Sequence, residues 1–230
     1  MKRLLFLFMS LPLFSLSQEC GNYLFMNDHS VVVMTVYDQK GKESGSQTWT
    51  IAEVKKNTDS YESVVNGVFK NSKGKEVASS SGVYKCENGV LKADARMSMP
   101  QQQMENYKDA EAKFESAYID YPSNMSTGQS LNDVDFKMEV ENKGVANIIT
   151  FKMTDRKVES KESVTTPAGT WEAFVISYNS VFKIQIGPIG MPININGKEW
   201  FVPGVGVVKS ESYTKNGKLT GSTQITSITK

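Results

Sequence analysis

Apolar and polar residues alternate with a period of two along most of this chain, and turn sequences interrupt the alternation about every ten residues. Residues 31–37 are β-branched and aromatic, and residues 136–141 alternate apolar with charged side chains. Asn88-Gly89 and Asn216-Gly217 are typical of tight β-hairpin turns. No long helices alternate with these strands, which disfavours a parallel α/β fold. The pattern predicts an all-β, mainly antiparallel protein, built as a large curved sheet or open half-barrel of about ten strands.

One segment departs from the alternation. Residues 101–117 are rich in Gln, Glu, Lys and Ala, which are good helix formers, and Pro100 stands where a helix tolerates proline best. Met104, Tyr107 and Phe114 can share one face at helical spacing. The segment therefore predicts one short amphipathic helix near 101–117, lying across the sheet or capping an open end.

Two stretches in the second half leave a choice open. Residues 171–186 are long enough to form one bent strand or two. Residues 187–195 are apolar and uncharged, and Pro188 and Pro192 keep them out of a central strand. This stretch predicts an apolar loop, which either caps a pocket or contacts a partner, or folds onto its own core.

The first residues have the layout of a secretory signal peptide. A basic start, Met1-Lys2-Arg3, precedes an apolar run of about 13 residues, too short for a bilayer span of about 20. Ser15 and Ser17 supply small residues for cleavage. We predict a cleaved signal peptide over 1–17, a single domain over 18–230, and a periplasmic or secreted location in a Gram-negative envelope. An uncleaved anchor is the alternative.

The mature chain has two cysteines, Cys20 and Cys86. Disulfides persist in the compartments that exported proteins reach. A bridge between them would close a loop of about 65 residues and contribute about 4 kcal/mol in the chain-entropy model. We predict this disulfide, and two separate buried thiols are the alternative.

The charge balance narrows the range of partners. Lys and Arg number 26 against 25 Asp and Glu, and no basic cluster of the kind that nucleic-acid binding requires is evident. No segment after the signal is apolar enough to cross a membrane. We therefore expect no nucleic acid, no transmembrane segment in the mature chain and no cofactor, and we expect a monomer.

The residues that carry catalysis in other proteins are sparse here. His29 is the single histidine, and neighbours on a strand point to opposite faces, so Asp28 and Ser30 cannot converge with it as a triad. One histidine also excludes a multi-histidine metal site. Carboxylates pair at two-residue spacing in Glu139 with Glu141, and more loosely in Glu159 with Glu162. A solvated strand face explains Glu139 and Glu141 better than a glycosidase pair does. We predict no catalytic or metal-binding residues and no enzyme, with a hydrolase of envelope or extracellular glycans as the weakest alternative.

Large apolar side chains near turns and the predicted helix are the candidate ligand-binding residues. Methionines fill apolar gaps and adaptable binding surfaces, and clustered thioethers in an oxidising compartment could alternatively bind Cu(I). The predicted binding residues are Met97, Met99, Met104, Phe114, Trp171, Trp200, Ile189 and Met191.

Three stretches of the chain, taken together, resemble a known family. They are 121–131, which begins Tyr121-Pro122-Ser123; 156–171, which ends in Pro167-Ala168-Gly169-Thr170-Trp171; and 199–211, which holds Pro203-Gly204-Val205-Gly206. The pattern is similar to the TapB-like envelope proteins and covers roughly residues 20–230. The resemblance implies export and a large curved antiparallel sheet, similar to the open half-barrels of lipoprotein carriers. It supplies no catalytic residues.

Two functions follow as hypotheses. The first is a non-enzymatic envelope protein whose curved sheet binds a hydrophobic small molecule, a lipid, or an apolar segment of another envelope protein. The second is a structural or assembly factor for cell-surface machinery, pilus-like or secretory, that acts through an exposed patch or strand edge.

Overall fold

The computed structural model describes residues 20–58, 60–107, 111–142 and 144–230, and within these ranges the chain forms thirteen β-strands in one antiparallel sheet. The predicted all-β class is confirmed, and the strands outnumber the predicted ten. The predicted signal peptide over 1–17 lies outside the described residues. The strands are β1 (Val31–Asp38), β2 (Glu43–Lys56), β3 (Ser60–Asn71), β4 (Glu76–Glu87), β5 (Val90–Asp94), β6 (Glu111–Phe114), β7 (Tyr118–Pro122), β8 (Val134–Asn142), β9 (Val145–Thr166), β10 (Gly169–Ile186), β11 (Ile189–Val202), β12 (Gly206–Tyr213) and β13 (Leu219–Thr229).

The sheet is open, with the strand order β6-β8-β9-β10-β11-β12-β13-β1-β2-β3-β4-β5-β7. The chain enters the sheet near its centre at β1, runs outward to β5, and later returns from the other edge until β13 pairs with β1. β10 is one bent strand rather than two, because register shifts at Val175/Ile176 and Ser177/Asn179 bend it without ending its pairing with β9. In the described part of the chain, no helix has the length and apolar character needed to cross a bilayer.

The predicted helix over 101–117 is wrong for most of its length. The α-helix α1 covers Gln101–Met104 alone, a 3₁₀ turn follows at Glu105–Tyr107, and Glu111–Phe114 forms the edge strand β6. Helix propensities differ by only about 0.7 kcal/mol per residue among ordinary residues. Pairing of β6 with β8 in the edge of the sheet overrides that preference.

The chain passes between the two edges of the sheet three times, from β5 to β6, from β6 to β7 and from β7 to β8. No backbone ladder joins β6 to β7 in the described chain. The two sides are instead joined by side-chain contacts and by backbone hydrogen bonds between residues 128–131 and β9. Tyr121 of β7 stacks on Phe201 of β11, with ring centroids 4.9 Å apart. Closure of the half-barrel therefore depends on tertiary contacts.

The predicted loop over 187–195 is also wrong, because most of it belongs to a hairpin. Gly187 and Pro188 form the turn, and β11 starts at Ile189 and pairs with β10 from there. β12 pairs with β11 only from Asn196 onward. Pro192 is tolerated in a strand here, since this part of β11 has a neighbour on one side only.

Buried apolar side chains form two clusters. The first contains Phe136, Ile149 and Phe201 together with Leu91 and Tyr121, so it joins strands from both edges of the sheet. The second lies against β1–β4 and the central strands, and its members include Val32, Met34, Trp49, Ile51, Phe69, Met97, Val175 and Trp200.

The N-terminal segment 20–26 connects the two clusters. Tyr23 and Met26 pack in the first cluster, and Leu24 and Phe25 pack in the second. Cys20 is joined to Cys86 of β4 by the predicted disulfide, with Cα atoms 5.4 Å apart. The bridge therefore fixes a buried segment that has only short 3₁₀ turns of its own.

Candidate functional site

A cavity of about 490 Å³ lies in the curve of the sheet. Its volume falls in the range of about 300–1,000 Å³ that is usual for small-molecule sites. The lining comes from β1–β5, β7 and β10–β13, together with the segment that follows β5. The cavity thus spans both halves of the chain, and neither half could form it alone.

One wall of the cavity is apolar and comes mainly from the second cluster. The residues of this wall are Phe25, Met34, Trp49, Phe69, Val77 and Met97. The lining also includes polar side chains that are exposed or half-buried, and we call this part the rim. The rim residues are Ser44, Ser46, Lys70, Ser98, Gln103 and Ser212. A ligand that is mainly apolar matches this division.

Two glycines make room for the largest side chains of the apolar wall. A Cβ at Gly67 would lie 2.4 Å from the ring of Trp49, and a Cβ at Gly82 would lie 2.5 Å from the sulfur of Met97. Both distances are shorter than ordinary Cβ contacts, so a side chain at either position would displace the Trp49 ring or the Met97 side chain. Strands β3 and β4 therefore have glycine where these two side chains cross them.

Met97 and Met99 are held by hydrogen bonds of the turn that follows β5. The Asp94 carboxylate accepts from the Arg96 backbone N–H at 3.0 Å and caps the 3₁₀ turn. The Gln101 side-chain amide donates to the backbone oxygens of Arg96, Met97 and Met99 at 3.0, 3.4 and 2.9 Å. These contacts satisfy buried carbonyl groups and aim both methionines at the cavity.

The inner end of the cavity holds a buried carboxyl group. Glu199 is 5% exposed, and its Oε2 accepts a hydrogen bond from the Tyr121 hydroxyl at 3.1 Å. Its Oε1 lies 3.9 Å from an Nη atom of Arg156 and finds no hydrogen-bond donor among the described residues. The carboxyl therefore has one oxygen without a partner, in a residue that lines the cavity.

Arg156 is fully buried behind Glu199, with 0% of its side chain exposed. Its two terminal nitrogens donate to the backbone oxygens of Asn132 and Asp120, both at 3.0 Å. Its guanidinium also lies 5.2 Å from the ring centroid of Tyr121. Arg156 thereby links β9 to the opposite edge strand β7, and it places a positive charge beside the carboxyl of Glu199.

Burial controls the protonation of this group of residues. Loss of solvent raises the pKa of Glu199, and the positive charge of Arg156 and the Tyr121 hydrogen bond oppose that rise. Burial also raises the pKa values of Tyr84 and Tyr178, and the negative charge of Glu199 adds to both shifts. These hydroxyls stay protonated at neutral pH and can donate hydrogen bonds.

The structure brings two of the eight predicted binding residues, Met97 and Met99, to the cavity lining. Met104 packs against the first cluster. Phe114 is 40% exposed on β6, where Arg96 lies 4.5 Å from its ring centroid. Trp171 packs on the second cluster.

Trp200 is buried on β11 and donates to Glu162 at 2.8 Å, outside the cavity lining. Ile189 and Met191 are 73% and 82% exposed at the tip of the β10–β11 hairpin. The predicted residues are therefore distributed over the cavity, the core and this tip. Whether any of them binds a ligand stays a prediction.

The buried group of Tyr121, Arg156 and Glu199 comes from the three stretches that carry the family resemblance. Tyr121 begins the first stretch, Arg156 begins the second and Glu199 begins the third. These stretches were used in the sequence analysis for the family resemblance, and their convergence at the cavity was missed. A signal was present, because Glu199 is an acidic residue directly before the apolar run 200–202.

The histidine and carboxylates that were considered for catalysis or metal binding are exposed and lie on separate elements of the fold. His29 lies in a turn with a side chain 85% exposed, 3.8 Å from Asp28. Glu139 and Glu141 are exposed on β8, and Glu139 pairs with Lys137. Within the described ranges, no group of His, Cys, Asp and Glu side chains is arranged to hold a metal ion.

Comparison with known proteins supports the fold and gives a family match. The model of the DUF3108-like family matches residues 28–225. A protein from Bacteroides fragilis, described as exported and as having a YmcC-like fold, superposes with a TM-score of 0.71 at 22% identity, covering 89% of this chain and 97% of that chain. A protein from Parabacteroides distasonis, described as a lipoprotein, superposes with a TM-score of 0.73 at 23% identity, covering 90% and 98%.

At these identities the two structures inform on the fold and not on a ligand. No curated protein matches the chain. None of these descriptions mentions TapB, so that narrower resemblance stays a prediction.

Proposed function

This chain belongs to the DUF3108-like family, and from that premise we propose that it is a non-enzymatic, exported envelope protein that binds an amphiphilic ligand in its half-barrel cavity. One observation carries the proposal: a cavity of about 490 Å³ has an apolar wall, a polar rim and a buried polar inner end. Export through a cleaved leader over 1–17 is part of the proposal. The exported and lipoprotein descriptions of the two similar structures support that part.

Binding should be detectable with Nile red, an uncharged dye whose fluorescence rises in apolar surroundings. We expect saturable binding by the purified protein. Ser46→Trp adds bulk at the half-buried rim and should weaken binding by about tenfold or more, since a filled site excludes the dye. Ser163→Trp makes the same change at an exposed position of β9 outside the cavity lining and should leave binding unchanged. No saturable binding, or equal loss in both variants, would refute the proposal.

We propose a second function on a separate observation. The tip of the β10–β11 hairpin exposes Ile186, Ile189 and Met191, and the strand edge beside it is free from Ile189 to Ile195. Exposed apolar tips and free strand edges are features through which assembly factors contact other proteins. This arrangement supports an assembly factor of the cell surface.

A photo-crosslinking amino acid at Met191 separates the two functions. If the tip docks to a partner, the protein should form one dominant cross-linked adduct in cells. The same group at exposed Ser163 is the matched control and should give none. Absence of an adduct at position 191 would count against the assembly function and leave the cavity proposal intact.

A further inference from the structure

We propose that the polar end of the ligand is uncharged and carries a hydroxyl group, and that Glu199, Tyr84 and Tyr178 bind it at the inner end of the cavity. The inference rests on the proposed function, because it requires an amphiphile in the cavity. It adds the chemical class of the head group and the direction in which the ligand enters.

The first argument is the supply of hydrogen-bonding groups. Glu199 Oε1 is a buried acceptor with no donor among the described residues. Tyr84 and Tyr178 also line the cavity, and within the described chain their hydroxyls make no hydrogen bond. A hydroxyl group both donates and accepts, so one ligand hydroxyl can donate to Glu199 and accept from a tyrosine.

The second argument is charge. Glu199 and Arg156 form an ion pair of zero net charge, 3.9 Å apart, and both side chains are buried. An ionic head group beside this pair would add an uncompensated charge in a poorly solvated place. The cost of such a charge is about several kcal/mol. An uncharged head group avoids it.

The third argument is the orientation of the cavity. Lys70 is exposed at the rim and is free to approach an anionic head group there. A carboxylate amphiphile would therefore bind in the reverse direction, with its chain toward the inner end. The inner end holds Glu199, so the reverse orientation leaves its Oε1 buried without a donor, at a cost of about 1–3 kcal/mol.

Competition against Nile red tests the proposal with three ligands of equal chain length: dodecanol, dodecanoate and dodecylamine. At neutral pH we expect dodecanol to compete at least about tenfold more tightly than either ion. Equal competition by all three would overturn the head-group inference and leave the proposed function standing. Absence of any Nile red binding would remove both.

Two substitutions separate charge from hydrogen bonding. Glu199→Gln keeps the shape and leaves Arg156 uncompensated, so it should reduce or reverse the preference for dodecanol over dodecanoate. Tyr178→Phe removes one hydroxyl without changing the charge, so it should weaken dodecanol binding and preserve the order of the three ligands. If Glu199→Gln does not fold, as judged by circular dichroism, Tyr178→Phe and Tyr84→Phe still test the site.

A variant of Lys70 tests whether the head group instead binds at the rim. Tighter binding of dodecanoate than of dodecanol by the unmodified protein, abolished by Lys70→Gln, would place the head group at the rim. That result would contradict recognition at Glu199.

Discussion

Replacing Arg156 by methionine is expected to destabilise the protein by about 3–5 kcal/mol, because removal of one partner of a buried ion pair leaves the other charge uncompensated. The charge left behind is that of Glu199, which is 5% exposed. The substitution also removes the hydrogen bonds that tie β9 to the backbone of Asp120 and Asn132. Urea denaturation followed by circular dichroism measures the loss.

A double variant shows whether charge is the cause. Arg156→Met together with Glu199→Gln removes both charges and keeps an amide oxygen to accept from the Tyr121 hydroxyl. It should be more stable than Arg156→Met alone, since no buried charge remains. If the two variants are equally unstable, the loss comes from the hydrogen bonds to the backbone and not from the charge.

The pH dependence of stability gives an independent check on the same pair. Burial raises the pKa of Glu199 in the folded protein above the ordinary value of a glutamate. A carboxyl group with a raised folded pKa favours folding at low pH, and its contribution declines as the pH rises through the folded pKa. Arg156 opposes this shift, so its removal should raise the pKa further. The loss of unfolding free energy caused by Arg156→Met should therefore be smaller at about pH 5 than at about pH 8.

Removing the disulfide is expected to cost about 4 kcal/mol in Cys20→Ala with Cys86→Ala, since the bridge closes a loop with a sequence separation of 66 residues. Most of segment 20–26 is buried against both clusters, and its short 3₁₀ turns give it little stability of their own. Urea denaturation under oxidising conditions measures the effect.

Reductant supplies the control for this prediction. It should destabilise the unmodified protein by a similar amount and leave the double alanine variant unchanged. An unmodified protein that is insensitive to reductant, or a double variant with unchanged stability, would show that packing of Tyr23 and its neighbours holds the segment without the bridge.

The strands of this protein could be predicted because their signal is local. β1 corresponds to the β-branched and aromatic run 31–37, β8 to the alternation over 136–141, and the β12–β13 hairpin to the turn at Asn216-Gly217. The predicted helix over 101–117 is wrong because differences in helix propensity are small. The strand that pairs with β6, which is β8, lies further along the chain and begins at Val134. The predicted loop over 187–195 is wrong because proline is excluded from a central strand but is tolerated where a strand has a neighbour on one side only.

The candidate site could be predicted only in part. Met97 and Met99 were found by their size and position near a turn, and the structure places both in the cavity lining. Tyr121, Arg156 and Glu199 were present in the quoted stretches but had no distinguishing local pattern that brings them together. Residues separated by dozens of positions meet only when the edges of the sheet approach each other.

By itself, the sequence determined the fold class, most strands and turns, and the two cysteines that can pair, since side-chain alternation and turn chemistry act between near neighbours. The tertiary structure alone decided the pairing of β13 with β1, the bridging of the two edges, and the burial of Glu199 beside Arg156. These features depend on contacts between distant segments, whose free energy appears only when the whole sheet has curved around its core.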